Sequence, residues 1–195
     1  PHAPYTVSEP NLMKVATLAA ELDIAIQIHL HETRGEVLLA VEQNGERPLD
    51  TLHRLGLIGP RTQCVHMTDL GEQDIALLAA AGAHVVHCPQ SNMKLASGAC
   101  PVSKLQAKGV NVALGTDSAA SNNDLNLFAE MQSAALLAKL HSGDAAALPA
   151  AEALAMARDW EQAGMYWWDG TRFWIVPTDP RIDPVALPSP PPGTG

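Results

Sequence analysis

The chain has 195 residues, of which 47% are hydrophobic and 17% charged, and its formal net charge is −9. This length predicts one domain, or one domain and a fragment of another. The acidic balance argues against nucleic acid or an anionic membrane as a partner, because both attract clustered Lys and Arg. No apolar run reaches the ~18 residues that indicate a membrane span.

The N-terminus and the cysteines indicate the setting of the protein. The first four residues, Pro-His-Ala-Pro, contain no initiator Met and no basic stretch before an apolar one. We therefore expect a piece of a longer chain without a secretory signal. Three cysteines without CxxC spacing predict no disulfide framework and a reducing, cytoplasmic location.

Helical and strand periods alternate along the first 157 residues. Predicted helices cover 8–22, 35–44, 48–56, 71–82, 101–109, 123–141 and about 149–158. Short apolar runs between them predict buried strands at 24–30, 62–67, 83–88 and 110–116. This alternation predicts an α/β protein with a parallel sheet covered by helices. Four strands fit either a doubly wound sheet or part of a (β/α)8 barrel, so the number of strands does not distinguish these two folds.

Each predicted strand ends in residues that can bind a metal or transfer a proton. These residues are His29 and His31, His66, His87 and Asp117. The carboxyl ends of parallel strands lie on one side of the sheet and carry the chemistry in such folds, which favours a barrel mouth with convergent ligands. Because side chains alternate along a strand, we expect His29 and His31 to share a face.

Each of these residues also has a plainer interpretation. Glu32 begins the loop above His29, where a carboxylate can shuttle protons, but the same segment fits a solvated surface loop. Asp117 is a candidate metal ligand or the start of a turn into the helix at 123, although Asn123 or Asp124 could cap that helix instead.

The second and third strand ends are weaker candidates. His66 could hydrogen-bond an attacking water or simply donate to a buried carbonyl. His87 lies two residues before Pro89, which stops a strand, so this segment predicts an architectural turn. Cys88 has no partner pattern for a nucleophile, and His53 and His84 are expected to be structural or solvated.

Five segments together resemble the amidohydrolase superfamily, in particular the 5-methylthioadenosine/S-adenosylhomocysteine deaminases and their chlorohydrolase-like relatives. The segments are PHAPYTVSE (1–9), IHLHET (28–33), VHMTDL (65–70), VVHCPQSNMKLASGACPV (85–102) and VALGTDSAASNNDLNLFAEM (112–131). The resemblance covers residues 1 to about 157. It implies the C-terminal part of a (β/α)8 TIM barrel, namely strands five to eight with their helices.

The resemblance also implies a metal site. His29 looks like the metal ligand of strand five, and Asp117 looks like the metal ligand of strand eight. The implied cofactor is one divalent ion, usually Zn²⁺, which suits a mixed His/Asp site with an open position. Two further ligands are expected from a His-x-His pair on strand one, in a half of the barrel that would precede this chain.

The remaining roles follow from the same resemblance. Asp117 and His66 look like the groups that orient the hydrolytic water and take up its proton. Glu32 looks like the acid/base that protonates the heterocycle and contacts it. His2 and Ser121 look like further substrate contacts.

The implied activity is that of a hydrolase acting on C–N bonds of cyclic amidines. It would convert adenosine-type compounds, such as 5-methylthioadenosine or S-adenosylhomocysteine, into inosine-type products and ammonia. Two alternatives stay open: a related enzyme acting on guanine, an oxidised purine or a triazine, and a non-catalytic fragment. The partner is then a small purine nucleoside-type substrate. A homo-oligomer is also expected, because many proteins of the family are dimers or larger and an open barrel edge would encourage association.

Residues 158–195 differ from the rest and show no such resemblance. All four Trp lie there, at 160, 167, 168 and 174. An Asp-Gly pair between aromatic runs predicts a hairpin over 165–174, and the Pro-rich residues 177–195 are expected to be disordered or extended. A reading-frame change near 158 and a divergent tail whose hairpin covers exposed core are the two alternatives.

Overall fold

The computed structural model describes residues 1–158 and, beyond them, the backbone of three short strands at 166–168, 173–175 and 185–186. Within residues 1–158 the helices are α1 Glu9–Leu22, α2 Arg34–Asn44, α3 Pro48–Arg54, α4 Glu72–Ala81, α5 Pro89–Lys94, α6 Val102–Ala107, α7 Leu127–Ser142 and α8 Ala150–Arg158. No helix in the described part of the chain is long and apolar enough to cross a membrane.

Four strands form a parallel sheet in the order β1-β2-β3-β4, which confirms the predicted α/β arrangement. The strands are β1 Ile26–Leu30, β2 Thr62–His66, β3 His84–His87 and β4 Val112–Leu114. Leu30 is level with His66, and His87 is level with Leu114. The carboxyl ends of these strands therefore lie along one edge, as the parallel arrangement requires.

The two faces of this sheet carry different clusters. On one face, buried residues such as Ile28, Cys64 and Leu114 join the main core, which the helices cover. A smaller cluster of Val65, Val86 and Cys88 is separate from it. Because side chains alternate along a strand, this second cluster belongs to the opposite face of the sheet.

Local signals explain most helix boundaries. Thr33 caps α2 by accepting the backbone N–H of Glu36 at 3.1 Å. Gly82 ends α4 in the left-handed conformation, with φ 69°, as the sequence predicts. Ser8 occupies the N-cap position of α1 but makes no side-chain capping hydrogen bond.

Two predictions in this region were wrong. The turn expected after His87 is a short helix, α5, in which Pro89 occupies the first turn, where a missing N–H costs nothing. Helix α7 begins at Leu127 rather than at 123. Its cap is Asn126, whose side chain accepts two backbone N–H groups, and not Asn123 or Asp124.

The described strands of the tail form a second sheet: β5 Tyr166–Trp168, β6 Phe173–Ile175 and β7 Val185–Ala186. β6 pairs antiparallel with both neighbours. The connection within the hairpin predicted for 165–174 lies outside the described residues, as does most of 177–195.

Candidate metal centre

Two histidines and one aspartate converge at the C-terminal edge of the parallel sheet. His29 lies in β1, His66 is the last residue of β2, and Asp117 follows β4. One ligand atom from each lies within 4.8 Å of the others. His29 Nε2 is 3.8 Å from Asp117 Oδ1, and His66 Nε2 is 3.9 Å from Asp117 Oδ2. Three side chains that the sequence places at separate strand ends thus share one site.

The backbone at this edge is strained. His66 has φ 78° and Asp117 has φ 60°, both in the left-handed region. For residues with a Cβ this conformation costs about 1–2 kcal/mol each. It also departs from the extended backbone of the preceding strands, so these side chains do not follow the strand alternation. Strain of this kind concentrates at functional sites, which singles out the edge on backbone geometry as well.

The ring of His29 is oriented by the N-terminal segment. Its Nδ1 lies 2.9 Å from the carbonyl oxygen of His2, and that oxygen also accepts the backbone N–H of His29 at 2.9 Å. A carbonyl oxygen only accepts, so Nδ1 carries the hydrogen and the lone pair is on Nε2. Nε2 is the atom that faces Asp117. This is the orientation that a metal-binding imidazole needs.

His66 is buried beside His29. The two rings stack with centroids 5.3 Å apart. Burial lowers the pKa of His66, against the opposing effect of the nearby Glu32 carboxylate, so the ring is neutral at pH 7. Its Nδ1 lies 2.9 Å from Asn92 Oδ1, whereas its buried Nε2 has no hydrogen-bond partner among the described residues. An unsatisfied nitrogen at this position indicates a place for a water or an ion.

Asp117 is held by two hydroxyl groups. Ser91 and Ser121 each donate to its Oδ2 at 2.7 Å. Burial acts to raise the pKa of Asp117, but these two hydrogen bonds, together with a backbone hydrogen bond from Ser118 and the nearby His66, hold the pKa below its usual value. The carboxylate is therefore charged at neutral pH. Both hydroxyl groups bind Oδ2, and Oδ1 faces His29 Nε2.

Glu32 also approaches His66, with its Oε2 3.9 Å from His66 Nε2. The hydroxyl of Ser97 donates to its Oε1 at 3.3 Å, and the hydroxyl of Thr68 donates to its backbone carbonyl at 2.7 Å. The carboxylates of Glu32 and Asp117 therefore lie at the same distance from His66 Nε2. This position suits a proton carrier beside a metal site.

The two predicted substrate contacts lie in different surroundings. His2 is exposed, and its ring centroid is 5.0 Å from that of His29, while its Nδ1 pairs with Thr6 Oγ1 at 2.9 Å. Ser121 is buried, with its hydroxyl on Asp117. Their roles toward a substrate stay predictions.

His31 does not join the site, and the expectation that it shares a face with His29 was wrong. It lies one residue beyond β1 with φ 50°, so the strand alternation no longer applies. Its Nε2 accepts the N–H of Leu49 at 3.1 Å, and its Nδ1 lies 3.0 Å from the carbonyl of Asp69. This fully buried ring joins β1 to α3 and to the loop after β2.

Other candidates are also outside the cluster. Burial lowers the pKa of His87 to about 3, so this ring is neutral, and it is not part of the metal-ligand group. Burial raises the pKa of the Cys88 thiol well above its usual value, which disfavours a nucleophilic thiolate. His84 pairs with Pro60 O and Asn111, and His53 is exposed.

The sequence interpretation missed three supporting residues: Ser91, Asn92 and Ser97. Ser91 and Asn92 lie on α5, the helix that was predicted as a turn. The available signal was a run of small polar residues directly after a buried strand whose neighbours end in His and Asp. Ligands of parallel α/β sheets bind at the carboxyl ends of the strands, so polar side chains there are candidate site partners.

The side chains fit a metal ion. Zn–N and Zn–O bonds are about 2.0–2.2 Å long, so one ion can span the 3.8 Å between His29 Nε2 and Asp117 Oδ1. His29 turns its Nε2 toward the gap, the ring of His66 is neutral, and the carboxylate of Asp117 is charged. Imidazole nitrogens and a carboxylate oxygen are ligands that zinc and other divalent metals accept.

A parallel sheet whose strand ends gather such ligands defines an α/β protein of the metal-dependent hydrolase type. Residues 1–157 match the model of the amidohydrolase family, and the chain belongs to this family.

Three known proteins illustrate the similarity. A 5-methylthioadenosine/S-adenosylhomocysteine deaminase of Teredinibacter turnerae is 57% identical over 157 residues, which are 80% of this chain and 36% of the relative. The crystal structure of an adenosine deaminase from Xanthomonas campestris with bound zinc is 54% identical, with a TM-score of 0.79, over 80% of this chain and 36% of that one. Guanine deaminase from C. acetobutylicum with bound guanine is 27% identical, with a TM-score of 0.73, over 77% and 38%. The chain thus spans little more than a third of each of these proteins.

Proposed function

We propose that this chain provides part of the active site of a zinc-dependent hydrolytic deaminase that acts on adenosine-type compounds. The observation that carries the proposal is the convergence of His29, His66 and Asp117 within 4.8 Å, with Glu32 adjacent. Similarity to proteins named as deaminases of methylthioadenosine, S-adenosylhomocysteine and adenosine supports the substrate class.

We further propose that residues 1–157 are the C-terminal part of a (β/α)8 barrel, with β1 to β4 as its strands five to eight. The outer strands β1 and β4 each pair with one strand of this sheet, so each has an edge at which further strands could add. The small cluster of Val65, Val86 and Cys88 would then face the barrel interior. The remaining strands, and two further metal ligands, would come from a preceding half.

In this proposal His29 and Asp117 hold the metal. When bound, zinc would supply a Lewis acid that lowers the pKa of water toward ~7. Asp117 is the proposed acceptor of a proton from the hydrolytic water, because its carboxylate is charged at neutral pH and both hydroxyl donors lie on Oδ2, which leaves Oδ1 without one. His66 Nε2 is buried and lies 3.9 Å from Asp117 Oδ2, so it can orient the same water.

Glu32 completes the proton transfers. It donates a proton to the ring nitrogen beside the amino-bearing carbon, so that negative charge does not build up in the ring as the water oxygen bonds to that carbon. The amino group then leaves as ammonia after it takes up the proton held at Asp117 or His66. As the carbonyl of the product forms, the hydrogen of the added hydroxyl group returns to Glu32, which restores the protonated carboxyl group. His2 and Ser121 are proposed substrate contacts; Ser121 would act through its oxygen lone pairs, since its hydrogen is engaged by Asp117.

The first experiment measures zinc binding and turnover. Zinc is titrated by calorimetry into this chain alone and into this chain mixed with the N-terminal half of the Teredinibacter turnerae relative, and ammonia release from methylthioadenosine is followed in both. We expect tighter zinc binding and turnover in the mixture. His29→Ala and Asp117→Asn should abolish both, whereas His53→Gln, at an exposed position, should change neither. Absence of zinc binding in every sample would favour the non-catalytic fragment.

A second candidate substrate class is guanine, which the similarity to a guanine deaminase favours. Parallel assays with methylthioadenosine, S-adenosylhomocysteine, adenosine and guanine distinguish the classes. We expect the adenosine-type compounds to show the higher kcat/KM. A preference for guanine would move the assignment to that branch.

The type of partner, the cellular location and the oligomeric state are also proposals. We propose a small-molecule substrate, a cytoplasmic location and, for this chain without a preceding half, association into a homo-oligomer through the sheet edge that the preceding half would otherwise cover. Analytical ultracentrifugation tests the last of these.

A further inference from the structure

We propose that Asn92 is a positioning residue that holds the His66 ring as its Nδ1–H tautomer, so that Nε2 presents a lone pair to the water at the site. The catalytic consequence rests on the proposed function. The tautomer itself is a property of this chain and can be measured without any metal or substrate.

The contact between the two residues is buried and direct. Asn92 is 0% exposed and His66 is 1% exposed. Asn92 Oδ1 lies 2.9 Å from His66 Nδ1. An amide oxygen only accepts a hydrogen bond, so the ring hydrogen belongs on Nδ1 and the lone pair on Nε2.

The main chain of Asn92 is held by two hydrogen bonds, and its side-chain Oδ1 pairs with His66, whereas its buried Nδ2 has no partner among the described residues. Its backbone N–H donates to Cys88 O at 3.0 Å, and its carbonyl accepts the N–H of Ser97 at 2.9 Å. The preceding residue, Ser91, donates to Asp117 at 2.7 Å. The short helix α5 therefore supports both a proposed metal ligand and the histidine beside it.

The Nε2–H tautomer of His66 is also favoured by nearby groups, so the Asn92 amide determines which tautomer forms. His66 Nε2 lies 3.9 Å from one oxygen of Glu32 and 3.9 Å from one oxygen of Asp117. Two carboxylates near Nε2 attract a hydrogen to that atom, and an Nε2–H ring could not accept a proton from water. The amide oxygen at Nδ1 is the contact that opposes this.

Two other histidines serve as internal references because backbone groups, which cannot be reversed, face their rings. His31 Nε2 accepts the N–H of Leu49, so His31 must carry its hydrogen on Nδ1. His84 Nε2 lies 3.0 Å from the carbonyl of Pro60, so His84 must be the Nε2–H tautomer, and its Nδ1 accepts from Asn111 at 3.0 Å. The chain thus contains one reference for each tautomer.

The test is a long-range ¹H–¹⁵N correlation spectrum of the metal-free, ¹⁵N-histidine-labelled chain at pH 7.5. We expect His66 to show the pattern of His31 and the inverse of His84. Asn92→Leu, which removes the acceptor at similar volume, should convert His66 to the Nε2–H pattern. Asn92→Asp, which keeps an acceptor oxygen, should retain Nδ1–H, and Asn111→Leu should leave His66 unchanged.

An Nε2–H pattern for His66 in the native chain would mean that the amide lies the other way round and would overturn the proposal. So would an unchanged Nδ1–H pattern in Asn92→Leu. If Asn92→Leu does not fold, the native spectrum and Asn92→Asp still decide the tautomer.

The catalytic part is read from the chain combined with an N-terminal half. Loss of a residue that orients a site group typically costs 10–100-fold. We expect Asn92→Leu to lower kcat by about 10- to 100-fold with little change in KM, and Asn92→Asp to recover most of the rate. Equal kcat in Asn92→Leu and the native protein would refute the positioning role. A correct tautomer in a native assembly that releases no ammonia would instead reject the proposed function and leave the tautomer assignment standing.

Discussion

Replacement of Gly98 by alanine tests the close approach that supports Glu32. A Cβ at Gly98 would lie 2.8 Å from Thr68 Oγ1 and 3.0 Å from Thr68 Cβ, and the residue has φ +134°. Thr68 cannot move freely, because its hydroxyl donates to the carbonyl of Glu32 at 2.7 Å and lies 3.2 Å from the carbonyl of Ser97. The clash therefore reaches the segment that carries the proposed acid/base.

The magnitude follows from two contributions. Overpacking costs about 1–3 kcal/mol, and a backbone conformation that only glycine adopts readily costs about 1–3 kcal/mol more. We expect Gly98→Ala to lower the free energy of unfolding by about 2–6 kcal/mol, summing these two contributions. The assay is urea denaturation of the chain followed by circular dichroism.

Gly109→Ala is the matched control. Gly109 also has positive φ, +75°, but a Cβ there would meet nothing within 4 Å. Its replacement should cost only the backbone contribution, about 1–2 kcal/mol. If the two variants lose the same free energy, the steric contact with Thr68 does not support Glu32 and the reasoning fails.

Three further predictions concern the buried and charged groups. Burial, and next the charge of Arg47, lower the pKa of His31 to about 4, whereas a histidine in the unfolded chain has a pKa of 6.5. The unfolded state therefore binds a proton more readily, and the native chain loses stability as the pH falls from 7 to 5. His31→Gln should reduce this loss by about 2 kcal/mol, as measured by urea denaturation at the two pH values. Ser91→Ala removes one hydroxyl donor from Asp117 and should raise the pKa of that carboxyl, which a carbon-13 carboxyl titration detects. Zinc at 100 times its Kd should stabilise the chain by about 2.7 kcal/mol in thermal unfolding, and His29→Ala should abolish this effect.

Each of these has a control or a contrary outcome. An acid dependence that is the same in His31→Gln and the native chain would assign it to other groups, such as His87, which is also buried and neutral. Ser103→Ala, on α6, should leave the titration of Asp117 unchanged. Equal thermal stabilisation of the native chain and His29→Ala by zinc would place the ion elsewhere.

The parallel sheet was predictable because its signals are local. Apolar runs of β-branched residues between helical segments identify strands, and polar residues at their carboxyl ends identify the active edge. The strand ends at His29, His66 and Asp117 could be located in this way. The short helix α5 could not, because Pro89 indicates both the end of a strand and the first turn of a helix.

Site partners were harder to predict than site ligands. Asn92 and Ser91 act through hydrogen bonds to residues 26 positions away in the chain. No local pattern encodes such a pairing, because it depends on which strands become neighbours. The same holds for Ser97, whose hydroxyl meets a carboxylate 65 positions away.

The sequence by itself determined the alternation of strands and helices, and with it the edge at which histidine and aspartate side chains gather. The tertiary structure alone decided which of them face one another. His31 illustrates the difference: strand periodicity places it beside His29, but a left-handed φ of 50° turns it into the core, where it joins α3 to the loop after β2. Periodicity applies only while the backbone stays extended, and the strand ends where this chain concentrates its chemistry are where the extended backbone stops.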